Sequence, residues 1–176
     1  SLRARSARLP LLRRHFNTGG PCQPDIHYML PALRRIPQVR DLIDQRAYLV
    51  VHAPRQVGKT TSLMSLAAEL THEGRYTALL VSMEVGEPFR HDPGKAEAAV
   101  LDDWRDDAER WLPPELQPPE WPDAVSGRQL GAALQAWSIA SSRPLALFLD
   151  EIDALQDDAL LSVLRQLRSG YQKRLK

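Results

Sequence analysis

Three short apolar runs punctuate the chain: residues 48–51 (Tyr48, Leu49, Val50, Val51), 77–83 (Thr77 to Met83) and 145–149 (Leu145 to Leu149). Each has the length of a buried strand and predicts one. Between the runs the period changes. Leu63, Leu66, Ala67 and Leu70 recur at i, i+3, i+4 and i+7, the stripe of an amphipathic helix, and Gly74 supplies its stop. Val100, Leu101, Trp104, Ala108, Trp111 and Leu112 form a second stripe opposite Asp102, Asp103, Asp106 and Glu109, which Pro113 and Pro114 end. A third helix is predicted from about Arg128 to Ala140, with Leu130, Ala133, Leu134 and Trp137 inward. Ala159, Leu160, Val163, Leu164 and Leu167 give a fourth its apolar face. Strands alternating with helices predict an α/β fold, a parallel sheet with flanking helices. No internal repeat is present.

The first strand–helix junction carries candidate chemistry. Ala53, Pro54, Arg55, Gln56, Val57, Gly58, Lys59 and Thr60 read as a phosphate-binding P-loop, G-x-x-x-x-G-K-[ST], with alanine for the first glycine. Backbone N–H groups from about Gln56 to Thr61 can curl around a β-phosphate, helped by the helix N-terminus. Gly58 leaves room for that approach. Lys59 reaches the β- and γ-phosphates, and the Thr60 hydroxyl ligates Mg²⁺ in this pattern. Pro54 biases Ala53 toward extended backbone, a conformation that does not need glycine. The ligand expected is a nucleoside triphosphate with Mg²⁺.

The run at residues 145–149 ends in Asp150 and Glu151, the Walker B pattern of P-loop ATPases. A strand delivers these carboxylates to its C-terminal end, where open α/β sheets bind ligands. Asp150 is the candidate Mg²⁺ ligand, directly or through water. Glu151 is the candidate for orienting the attacking water. An apolar run ending in acids is weak alone, but the two motifs in this order reinforce each other. Asp153 fits the start of the next helix better than a catalytic role. Arg165 and Arg168 fit a solvated helix face better than an arginine finger. Glu84 fits a polar strand exit.

Composition narrows the picture. The chain has 176 residues, 43% of them hydrophobic, enough for one domain with a core. No run approaches the roughly 20 apolar residues of a transmembrane helix. A net charge of +1 makes no case for nucleic acid or membrane. Residues 1–15, with Arg3, Arg5, Arg8, Arg13 and Arg14, read as a flexible basic leader, with a nucleic-acid arm or a transit peptide as alternatives. Residues 16–176 read as the folded unit, with a Pro- and Trp-rich helical insertion at about 86–127. Its tryptophans, set among acids, fit local core packing better than nucleic acid. Cys22 is the only cysteine, so no disulfide framework forms within the chain, and a reducing cytoplasm is the natural compartment. The five histidines show no metal-ligand spacing.

The chain resembles the AAA-like ATP-binding domain family, P-loop ATPases of the additional-strand type. The matching segments are Phe16 to Pro21 with His27 and Tyr28, then Val51 to Thr61, then Leu147 to Asp153 with Ser162 to Tyr171. They extend over nearly the whole chain from about Arg14. The resemblance implies ATP as the nucleotide. It also implies that Lys59 and Thr60 serve phosphate and Mg²⁺, Asp150 serves Mg²⁺ and Glu151 serves water. Residues 16–28 are then expected near the base. In such ATPases a further strand with a polar sensor residue lies between the P-loop strand and the Walker B strand, after the last helix here. The expectation is therefore an incomplete P-loop domain, the N-terminal portion of one, without its central sensor strand. With strands about 4.8 Å apart, a gap of roughly 9.6 Å would open between the two motif strands. A protein partner or homo-oligomer contacts are then expected through the missing C-terminal part of such a domain.

Two function classes follow. One is Mg²⁺-dependent ATP hydrolysis. The other is a nucleotide-dependent interaction module, or an inactive fragment, that does not hydrolyse ATP. Glu151 favours the first, and the absent sensor strand favours the second.

Overall fold

A computed structural model describes residues 26–28, 37–51 and 58–174. Its centre is a pair of parallel strands, β1 (Thr77–Ser82) and β2 (Leu145–Asp150), in unbroken register from Thr77 opposite Leu145 to Ser82 opposite Asp150. Successive side chains alternate across the sheet. Leu79 and Val81, with Leu145, Leu147 and Leu149, face one core, and Ala78 and Leu80, with Ala146 and Phe148, face the other. A parallel sheet needs cover on both sides, and the helices supply it. Helix α1 (Pro37–Asp44) contributes Val39 and Ile43 to the smaller core, and α2 (Lys59–His72) contributes Leu63, Leu66, Ala67 and Leu70. The larger core is built by α3 (Pro93–Trp111), α4 (Gln129–Ala140) and α5 (Asp157–Arg174). The architecture is mixed α/β in three layers.

Local signals explain several boundaries. Gly74, at φ 80°, follows the end of α2 in the left-handed conformation glycine tolerates. At the start of α3, the Asp92 side chain accepts from the Lys95 N–H at 3.1 Å, and Pro93 occupies the first turn. Thr71 joins α2 to the sheet. Its hydroxyl donates to the Ala78 carbonyl at 3.0 Å and accepts from the Ala78 N–H at 2.9 Å.

The larger core is organised around tryptophans and one carboxylate. Trp104 and Trp137 are fully buried. Each keeps its indole N–H satisfied, on the Ser82 carbonyl at 3.0 Å and the Leu116 carbonyl at 3.1 Å. Glu97, 1% exposed, sits where three helices meet. Its Oε2 accepts from Gln129 N and Leu130 N, at 2.9 and 3.4 Å, in the first turn of α4. Its Oε1 accepts from Ser162 Oγ and Gln166 Nε2 of α5, each at 2.8 Å. A carboxylate there satisfies N–H groups that a helix start leaves over and meets the positive end of its dipole.

Four expectations are corrected. Residues 48–51 lie in no strand, because neither edge of the described sheet pairs with them. Val50 is 93% exposed, while Leu49 and Val51 pack partly against the smaller core. Trp111 falls outside the buried stripe of α3, at 57% exposure. Asp153 starts no helix: it lies in a short 3₁₀ turn (Ile152–Ala154), and α5 begins at Asp157. Leu164 is exposed, so the buried face of α5 centres on Ala159 and Val163. Residues 86–127 supply much of the larger core. The acid-free leader 1–15 lies outside the described residues, as does Cys22.

Replacing Glu97 by alanine strands the N–H groups of α4 and the polar tips of α5. Destabilisation of roughly 3 kcal/mol is expected, read from urea unfolding, with Glu97→Gln losing less because it retains an acceptor.

Candidate functional site

The C-terminal ends of both strands meet the N-terminus of α2. Gly58 precedes α2 with φ 80° and ψ 30°, a conformation that costs a residue with a Cβ about 1 kcal/mol or more. Its carbonyl accepts the first helical bond, from Ser62 N at 3.0 Å. The first turn therefore carries Lys59, Thr60 and Thr61, all partly buried. A helix N-terminus directs N–H groups and a positive dipole end outward, which suits an anion.

The β2 strand ends at this turn. Thr60 Oγ1 donates to Asp150 Oδ2 at 2.6 Å, across 90 positions of sequence. The other oxygen, Asp150 Oδ1, accepts from the Glu151 N–H at 3.1 Å. The Asp150 carbonyl accepts from Met83 N at 3.0 Å, so the carboxylate is anchored through its own backbone to the end of β1. Glu151 is exposed and has φ 53° and ψ 35°, a left-handed conformation disfavoured for glutamate. Backbone held in this region next to a charged cluster is a recurrent property of functional sites.

The structure thus brings Thr60 and Asp150 into contact and sets Gly58, Lys59, Thr61 and Glu151 beside them in sequence. Ala53, Pro54, Arg55, Gln56 and Val57 lie outside the described residues, as do residues 16–25. Of the segment expected near a base, His27 is buried and Tyr28 is exposed. Among the described residues no group of three or more His, Cys, Asp or Glu is placed to hold a metal ion. The hydroxyl of Thr60 and the carboxylate of Asp150 form a pair of hard oxygen donors, the type a Mg²⁺ ion takes alongside phosphates and water.

A cavity of about 730 Å³ opens at this point. Thr60, Ser82, Glu84, Asp150 and Glu151 line one end, and the space continues along β1 to Thr71 and Arg143. Glu84 is an exposed strand exit whose N–H donates to Ser82 Oγ at 3.1 Å. On the α3 side the cavity meets Asp107 and Trp111. Burial, and then repulsion from Asp103, push the Asp107 carboxyl above the usual range. Burial, and then repulsion from Asp106, do the same to Asp103. Asp107 and Trp111 lie four residues apart, which was legible in the sequence; that they face a cavity was not.

Compared with protein-family models, with curated proteins and with solved structures, the chain gives no match. None of its described helices is long and apolar enough to cross a membrane.

Two outcomes are expected from the geometry. Glu151→Gly relieves the left-handed backbone and raises unfolding stability by up to about 1 kcal/mol, measured by urea titration. Asp107→Asn raises the melting temperature at neutral pH. A carboxyl held above its ordinary value favours the fold below that value and opposes it as the pH rises through the raised one. The advantage of Asn therefore shrinks as the pH falls toward about 4, which thermal melts across a pH series report.

Proposed function

We propose that this chain binds ATP with Mg²⁺ and hydrolyses it, as a P-loop NTPase of the additional-strand type. The observation that carries the reading is the 2.6 Å contact between Thr60 and Asp150. Residues from two separate motifs, each assigned to one Mg²⁺ from the sequence, converge at the C-terminal edge of a parallel sheet and the N-terminus of a helix. That edge is where open α/β folds bind nucleotides. The choice of ATP over other triphosphates rests on the family resemblance.

In this reading the N–H groups at the start of α2 bind phosphate oxygens, and Gly58 keeps the approach clear. Lys59 places its ammonium against the β- and γ-phosphates. Thr60, and Asp150 directly or through water, would hold Mg²⁺, which would supply positive charge against the phosphates. Glu151 accepts a proton from, or orients, the water that attacks the γ-phosphorus. Its strained backbone fits a carboxylate whose position serves chemistry rather than stability.

ATP binding and turnover by the full chain test this. Lys59→Ala is expected to weaken ATP binding by at least about tenfold, close to 1.4 kcal/mol. Glu151→Gln should keep ATP affinity and lower turnover by about a hundredfold or more. Undiminished ATP binding by Lys59→Ala would sink the nucleotide reading. Undiminished turnover by Glu151→Gln would remove Glu151 from the chemistry.

A further inference from the structure

The cavity at Thr60 and Asp150 continues as a groove along the outer edge of β1, between α2 and the C-terminal half of α3. The ladder decides what that edge offers. Thr77 N–H donates to the Pro144 carbonyl and Met83 N–H to the Asp150 carbonyl, both at 3.0 Å, in continuous parallel register. The odd-numbered residues of β1 therefore bond to β2, and Ala78, Leu80 and Ser82 turn their peptide groups to the groove. Thr71 occupies both groups of Ala78, and Trp104 occupies the Ser82 carbonyl. The Leu80 N–H, the Leu80 carbonyl and the Ser82 N–H take no partner among the described residues. β1 also lacks the charges and prolines that ordinarily protect a sheet edge.

Charge identifies the occupant. Glu84, Asp107, Asp150 and Glu151 border the groove. Its arginine, Arg143, is engaged at the far end, where Nη1 donates to the Thr71 carbonyl at 3.2 Å. Asp107 and the exposed Trp111 are one helical turn apart on α3, so a carboxylate and an indole stand side by side. That pair suits a guanidinium or ammonium group, through a charged hydrogen bond and a cation–π contact. Beyond the end at Asp150 and Glu151, the carboxylates of Glu84 and Asp107 repel a nucleic-acid phosphate backbone.

We propose that this groove docks an extended segment of a protein partner, carrying arginine or lysine, which adds as a third strand along β1. The backbone of the segment would pair with Leu80 and Ser82, and a basic side chain would settle between Asp107 and Trp111. The proposal does not rest on nucleotide binding. It does place the partner against Ser82, which is in register with Asp150.

The probe is a short fluorescein-labelled peptide in which valine and arginine alternate, titrated with the full chain and followed by anisotropy. Saturable binding is expected. Replacing arginine by glutamate in the peptide, or methylating alternate backbone nitrogens, should weaken it by about tenfold or more. Asp107→Lys should do the same, with folding checked by urea unfolding. Should Asp107→Lys fail to fold, the N-methylated peptide on the wild-type chain decides the question. Absence of binding at about millimolar peptide, equal binding of the N-methylated peptide, or full binding by folded Asp107→Lys would each overturn the proposal. So would a concentration-dependent dimer that excludes the peptide, or a single-stranded oligonucleotide that competes for the groove. Because the readout uses no ATP, its failure is distinguishable from failure of the nucleotide reading.

Discussion

Two parallel strands of six residues each cannot persist in water uncovered, and the rest of this structure follows from covering them. Their pairing sends Leu79 and Val81 to one side and Ala78 and Phe148 to the other. Each side then requires a helical layer. The two helices before β1 cover one face, and the helices between and after the strands cover the second. Apolar burial on both faces supplies the stability that the few ladder hydrogen bonds do not.

The same pairing positions the candidate site. Register sets Ser82 opposite Asp150, and the packing of α2 on the smaller core sets Thr60 above that point. The contact between Thr60 and Asp150 is therefore a consequence of where two hydrophobic surfaces meet. On the opposite face, Glu97 ties α3, α4 and α5 together with four hydrogen bonds. A buried carboxylate surrounded by donors specifies one arrangement of three helices, because any other leaves it uncompensated. The site and the outer edge of β1 share a single groove, so chemistry at one end and docking along its length would act on the same strand.

Much of this was legible from residue order. The strands at 77–82 and 145–150, the helices between them and the buried faces of Leu66, Trp104, Leu130 and Val163 all follow from periodicity. The acids at the end of β2 and the Gly58, Lys59, Thr60 junction were visible as motifs. Glu97 was not. A glutamate on an amphipathic helix reads as solvated, and its partners lie on two helices distant in sequence. Nor was the exposure of Trp111, which continues the apolar stripe in spacing but lies beyond the surface that α3 buries.

Sequence by itself determined the local states: which segments extend, which coil into helices, where Gly74 and Pro93 set boundaries, and which residue types stand ready for phosphate chemistry. These depend on backbone sterics and on periods of two or 3.6, which act over a few residues. Tertiary structure alone decided what met what. Tyr48 to Val51 have the composition of a strand yet form none, because a strand exists only through a neighbour. Thr60 reached Asp150, Glu97 became buried and the edge of β1 was left facing a groove, because each outcome depends on contacts between segments far apart along the chain.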